Sequence, residues 1–78
     1  MIVFERQAAK QIESFDRVLK QRIKHAIDML PSGDVKKLQG YKGTYRLRVG
    51  KYRIIYSTDT ETITIKAVLP RGAAYNNI

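Results

Sequence analysis

Seventy-eight residues, 44% apolar and 28% charged, make one small domain (1–78) and exclude two independent cores or wholesale disorder. Cysteine is absent, which excludes disulfide stapling, thiolate metal sites and a cysteine nucleophile, and fits a reducing compartment. Fifteen Lys and Arg against seven Asp and Glu leave a net charge of +8, and no apolar stretch approaches the ~20 residues of a membrane span.

In chain order, Met1 to Phe4 is a short apolar run long enough for a strand. The start Met1-Ile2-Val3-Phe4-Glu5-Arg6 lacks the layout of a signal peptide, so the expected setting is the cytoplasm, with no membrane partner. From Glu5 the period changes: Ala8, Ile12, Phe15, Leu19, Ile23, Ala26, Ile27 and Leu30 recur at spacings of three and four, the stripe of an amphipathic helix. Ser14-Phe15-Asp16 supplies cap residues in its middle, so two helices, about 5–14 and 17–30, are expected rather than one. Pro31-Ser32-Gly33-Asp34 ends the helical run.

After Gly40 and Gly43 the period becomes two. Tyr45, Leu47 and Val49 alternate with Thr44, Arg46 and Arg48. Gly50-Lys51 then reads as a two-residue type II′ turn into the return strand Tyr52–Ser57. A third strand, Thr62–Leu69, sets Ile63, Ile65 and Ala67 against Thr64, Lys66 and Val68, and ends at Pro70. The expected fold is α+β: a short N-terminal strand, two helices, then a three-stranded antiparallel meander with the helices on one face of a small sheet. Tyr45, Leu47, Val49, Ile54, Ile63 and Ile65 should face Ile12, Phe15, Leu19, Ile23 and Ile27.

The charge is unevenly placed. Residues 1–34 carry six basic and five acidic side chains, whereas residues 35–78 carry nine and two. Between Asp34 and Asp59 there is no acid, while Lys36, Lys37, Lys42, Arg46, Arg48, Lys51 and Arg53 fall there. A solvated basic surface is the bland reading. Concentration in one half favours a polyanion site, nucleic acid above all. With Gly50-Lys51 as the turn, Arg48 stands directly across from Arg53, and Arg46 lies two residues away on the same face. Opposed like charges are unfavourable. A face that keeps them suits an anion, because guanidinium forks match phosphate oxygens. The bland alternative is that the long side chains splay apart.

Other residues carry less. His25, mid-helix beside Lys24, reads as a surface or boundary residue. The carboxylates form neither a metal-ligand spacing nor an acid/base pair, no glycine-rich nucleotide motif is present, and neither metal nor cofactor is expected. Tyr45, Tyr52 and Tyr56 could stack on bases but fall on the core face and read as packing. Tyr75 follows Arg71-Gly72 in a short tail, where a structural task is less obvious and mobility is the bland reading.

Lys37-Leu38-x-Gly40, then Tyr45-Arg46-Leu47-Arg48-Val49-Gly50-x-Tyr52-Arg53-Ile54-Ile55-Tyr56, then Pro70-Arg71-Gly72-x-x-Tyr75 resembles the RelE-like toxins of bacterial toxin–antitoxin systems. The resemblance covers nearly the whole chain. The hairpin block belongs to the wider RelE/ParE superfamily, and the closing Arg-Gly-x-x-Tyr favours the RelE branch. It implies an endoribonuclease that cuts mRNA in the ribosomal A site. It also implies a cognate acidic antitoxin that masks the toxin, with operator DNA met only through that antitoxin. The family's basic strand positions match Arg46, Arg48 and Arg53, its post-strand arginine Arg71 and its C-terminal tyrosine Tyr75. The best-known members have lysines where this chain has Arg46 and Arg48, which keeps the charge but gives up a readily titrated amine. The alternative is the ParE branch, which shares the fold and inhibits DNA gyrase by binding it. A module without surviving activity and a plain RNA-binding domain are further readings.

The side chains suit RNA cleavage by the substrate's own 2′-hydroxyl, which needs help losing its proton, stabilisation of a dianionic phosphorane and assistance to the leaving oxygen. The expected catalytic set is Arg53, Arg71 and Tyr75, with Arg46, Arg48, Lys42 and Lys51 binding RNA phosphates. Tyr75 serves as proton acceptor, as a stacking platform or to orient the 2′-hydroxyl. The resemblance suggests Arg71 as general acid, although an arginine rarely gives up a proton.

Overall fold

The computed structural model describes residues 1–70. The described elements run β1 (Ile2–Phe4), α1 (Arg6–Glu13), α2 (Arg17–Asp28), β2 (Val35–Lys37), β3 (Thr44–Val49), β4 (Tyr52–Thr58) and β5 (Ile63–Pro70). The two helices part where the sequence offers caps: the Asp16 carboxylate accepts from Leu19 N at 2.9 Å and opens α2. Each helix is shorter than its apolar stripe, ending at Glu13 and Asp28.

The strands form one sheet in the order β1-β5-β4-β3-β2, with β1 parallel to β5 and the other neighbours antiparallel. The expected meander is therefore extended by one strand. β2 is three residues long and pairs Val35, Lys36 and Lys37 with Leu47, Arg46 and Tyr45. A run that short shows no period of its own; the main chain of β3 makes it a strand.

Leu47, Val49, Ile54, Tyr56 and Ile65 join Ala8, Ile12, Ile23 and Ile27 in one buried cluster, with Phe15, Leu19, Tyr45 and Ile63 packed against it. The core thus lies between the helices and one sheet face, as the alternation of β3 and β4 requires. β5 departs from its expected alternation. A register shift opposite Ile55 and Tyr56 skips Lys66, so Ile55 pairs with Ala67 and Tyr56 with Ile65. Such a bulge reverses the facing of every later residue. Val68 consequently enters the core, while Ala67 lies under the opposite face beside Ile55. Lys66 pairs with Glu5 at 3.2 Å, and Gln11 of α1 accepts from Val68 N at 2.8 Å, satisfying an amide that no strand reaches. Pro70 belongs to β5, across from Tyr52.

Candidate nucleic-acid interface

The β3–β4 hairpin has the register its turn implies: Val49 pairs with Tyr52, Arg48 with Arg53, Leu47 with Ile54 and Arg46 with Ile55. Gly50 has φ +57° and Lys51 lacks a positive φ, the pattern of a type II′ turn. Glycine is required there by the backbone: a Cβ on Gly50 would be strained by that φ, although the space beside it, toward the Arg22 guanidinium of α2, would admit one.

Because Leu47 and Ile54 face the helices, Arg46, Arg48 and Arg53 share the helix-free face. Lys36 of β2, directly across from Arg46, adds a fourth cation to it. The face has an apolar floor: Ile55 and Ala67 are 2% and 1% exposed, and the Arg46 side chain opposite Ile55 is only 17% exposed.

Among the described residues one acid meets this cluster, and no sequence pattern singles it out. Asp34 O accepts from Arg48 N at 3.0 Å, which continues the β2–β3 ladder by one residue and sets the carboxylate over the arginines. Oδ1 lies 3.5 Å from Arg46 Nη1 and Oδ2 3.9 Å from Arg48 Nε. Arg46 Nη1 also donates to Asp34 O at 3.4 Å. Arg53 meets no acid among the described residues. A hydrogen-bonded β-pairing outside any apolar pattern is the signal that would have found Asp34.

The two candidate lysines do not join the arginines at one point. Lys51 is exposed in the hairpin turn, and Lys42 is exposed before β3, beside Tyr41 in an open hollow that Lys36 and Lys37 also line. They flank opposite ends of β3, roughly 20 Å apart at ~3.3 Å per residue, too far to hold the same phosphate. Arg71 and Tyr75 lie outside the described residues. Tyr45, Tyr52 and Tyr56 are packing residues as expected: Tyr45 stacks on Tyr56 with centroids 5.6 Å apart, and Tyr52 meets Phe15 at 4.8 Å. Burial, and after it the neighbouring Tyr45, raises the Tyr56 phenol above its ordinary value, which suits a core tyrosine rather than a base. His25 is exposed on α2, as a surface residue should be.

Residues 2–75 match the family described as the ParE toxin of type II toxin–antitoxin systems, parDE. The chain belongs to the RelE/ParE toxin family. Toxin RelE3 of Methanocaldococcus jannaschii is 30% identical over 96% of this chain and 94% of its own length. RelE in the RelE–RelB complex from Pyrococcus horikoshii OT3 is 31% identical, with a TM-score of 0.78 over 94% of this chain and 96% of that one. The isolated E. coli RelE toxin, 16% identical with a TM-score of 0.74, shares the fold. The family description carries the ParE name and the individual relatives carry RelE. Two individual relatives at 30% and 31% identity over nearly the whole of both chains carry the RelE name. The chain is a RelE-like toxin.

Proposed function

We propose that this toxin, a single domain over residues 1–78, is an endoribonuclease that acts in the cytoplasm on mRNA in the ribosomal A site and so stops translation. The observation that carries the reading is the arginine row on the helix-free face, with Arg48 directly across from Arg53. In this reading Arg46 and Arg48 hold the scissile phosphate. The substrate's 2′-oxygen loses its proton and attacks phosphorus, the bond to the 5′-oxygen breaks and that oxygen takes up a proton from solvent, and the products are a 2′,3′-cyclic phosphate and a 5′-hydroxyl. Arg53 and Arg71 face the negative charge that builds on the phosphorane, where aimed cations act most strongly. Tyr75 takes the 2′ proton or stacks on a base. Lys42 and Lys51, at the two ends of β3, touch phosphates further along the strand. Such a site depends on the ribosome to hold the message in line for attack.

A cognate antitoxin completes the proposal. The RelB-bound relative supports such a partner, and the basic face asks for an acidic one that masks Arg46, Arg48 and Arg53 and relieves the net charge of +8. Contact with operator DNA would run through the antitoxin.

The test is sequencing of the 5′ ends of ribosome-bound mRNA after induction, with cuts expected inside A-site codons. The ParE description favours a second reading, inhibition of DNA gyrase by binding. Intact message together with gyrase-dependent DNA breaks would select it.

A further inference from the structure

Asp34 offers the hairpin arginines what a phosphate would offer them. Its two carboxylate oxygens turn to two different guanidinium groups, at 3.5 Å from Arg46 and 3.9 Å from Arg48. A phosphate held by the same pair would present two of its oxygens in that way. We infer that Asp34 is a built-in occupant of the anion site, held between Arg46 and Arg48 until an RNA phosphate displaces it. The inference rests on reading the basic face as a phosphate site.

The geometry also says which anion wins. Both contacts are longer than the ~2.7–2.9 Å of a tight charge-assisted hydrogen bond. Asp34 and Arg48 are 58% and 48% exposed, and exposed ion pairs are weak. A phosphate diester carries the same single charge over two oxygens but is not tethered to the sheet as Asp34 is through its bond to Arg48 N. It is therefore free to settle at hydrogen-bond distance from both guanidinium groups, and a neighbouring phosphate adds to it. Arg53 meets no acid among the described residues, so no carboxylate competes with a phosphate there while Asp34 is still in place. In the absence of RNA the carboxylate has a separate task. It stands among Lys36, Arg46 and Arg48, with Arg53 opposite, and lowers their mutual repulsion. Asp34 therefore strengthens the empty state and weakens anion binding. A residue serving only to prop up the arginines would act in the same direction on both.

The experiment is Asp34→Asn in the full chain, a change that keeps the side chain's size and leaves the carbonyl bond to Arg48 N in place. The probe is a short 2′-O-methyl RNA, which lacks the attacking hydroxyl and reports binding whether or not the chain cuts RNA. At low salt the affinity should rise about twofold to fivefold, while the thermal midpoint falls. Both differences should shrink at high salt. Asp28→Asn on α2 removes the same unit of charge from outside the sheet and should change affinity less. In an Arg46→Ala background the gain from Asp34→Asn should largely disappear. Weaker binding by Asp34→Asn, or a gain no larger than that of Asp28→Asn, overturns the inference. Failure of the nuclease reading gives a different result: uncut ribosomal message, with the gain in probe binding retained.

Discussion

The two faces of this sheet are built from the same strands and obey opposite rules. On one face Leu47, Ile54, Tyr56, Ile65 and Val68 pack under two helices. On the other, Lys36, Arg46, Arg48 and Arg53 stand close together with one acid among them. Adjacent residues thus answer to different pressures, because each step along a strand crosses the sheet. Leu47 fills volume in the core, and its neighbours Arg46 and Arg48 carry charge on the other face. Packing and surface charge in so small a protein can therefore be altered independently by moving one residue along the chain.

Substitutions on either side put that separation at risk, and the largest effect should come from the packed face. Leu47→Ala removes a buried side chain that is 2% exposed and should cost about 2–5 kcal/mol, read by chemical denaturation. Most of the stability of so small a domain would then be gone. Arg53→Ala, six positions away on the other face, should leave stability unchanged or higher, since it removes one of two opposed like charges. Single-turnover cleavage on programmed ribosomes should nevertheless slow by roughly 100-fold or more. An Arg53→Ala protein that unfolds as readily as Leu47→Ala would break the comparison.

Tyr75→Phe removes only a hydroxyl, so affinity should persist while cleavage slows by about 100-fold if the phenol takes the proton. Wild-type cleavage by Tyr75→Phe would strike Tyr75 from the proton-transfer role. The smallest effect concerns Tyr56 and appears only in alkali. Its phenol titrates above 10.0 in the folded protein, so the folded state favours the neutral form. Stability should be whole below about pH 10 and fall as the pH climbs through the raised value. Tyr56→Phe should flatten that alkaline limb in denaturation curves taken at several pH values.

Much of this division was legible beforehand because alternation is a local property. Tyr45 through Tyr56 contains both strands, their turn and their register, and a glycine at the first turn position leaves little choice of pairing. The RelE-like motif added the fold and the toxin family. What escaped depended on partners remote in sequence. β2 exists because Leu47, Arg46 and Tyr45 offer it hydrogen bonds, and nothing in Val35-Lys36-Lys37 announces a strand. The shift at Lys66 is invisible in Thr64-Ile65-Lys66-Ala67, yet it exchanges the places of Ala67 and Val68. Asp34 looked like the boundary of an acid-free stretch. Only the β2–β3 pairing carries its carboxylate to arginines 12 and 14 positions later.

The parallel pairing of β1 with β5 has a consequence for the timing of synthesis. Ile2, Val3 and Phe4 sit against Ile63, Thr64 and Ile65, so the strand made early must wait some sixty residues for its neighbour. α1 waits as well, since Gln11 and Glu5 reach their partners Val68 and Lys66 only then. Contacts closed over such distances form late and slowly. The β3–β4 hairpin can form from its own residues, but the helices have no completed sheet to cover until β5 has left the ribosome. A toxin is thereby kept from its finished shape until those late strands have been made, which leaves an interval in which a partner already present can bind first.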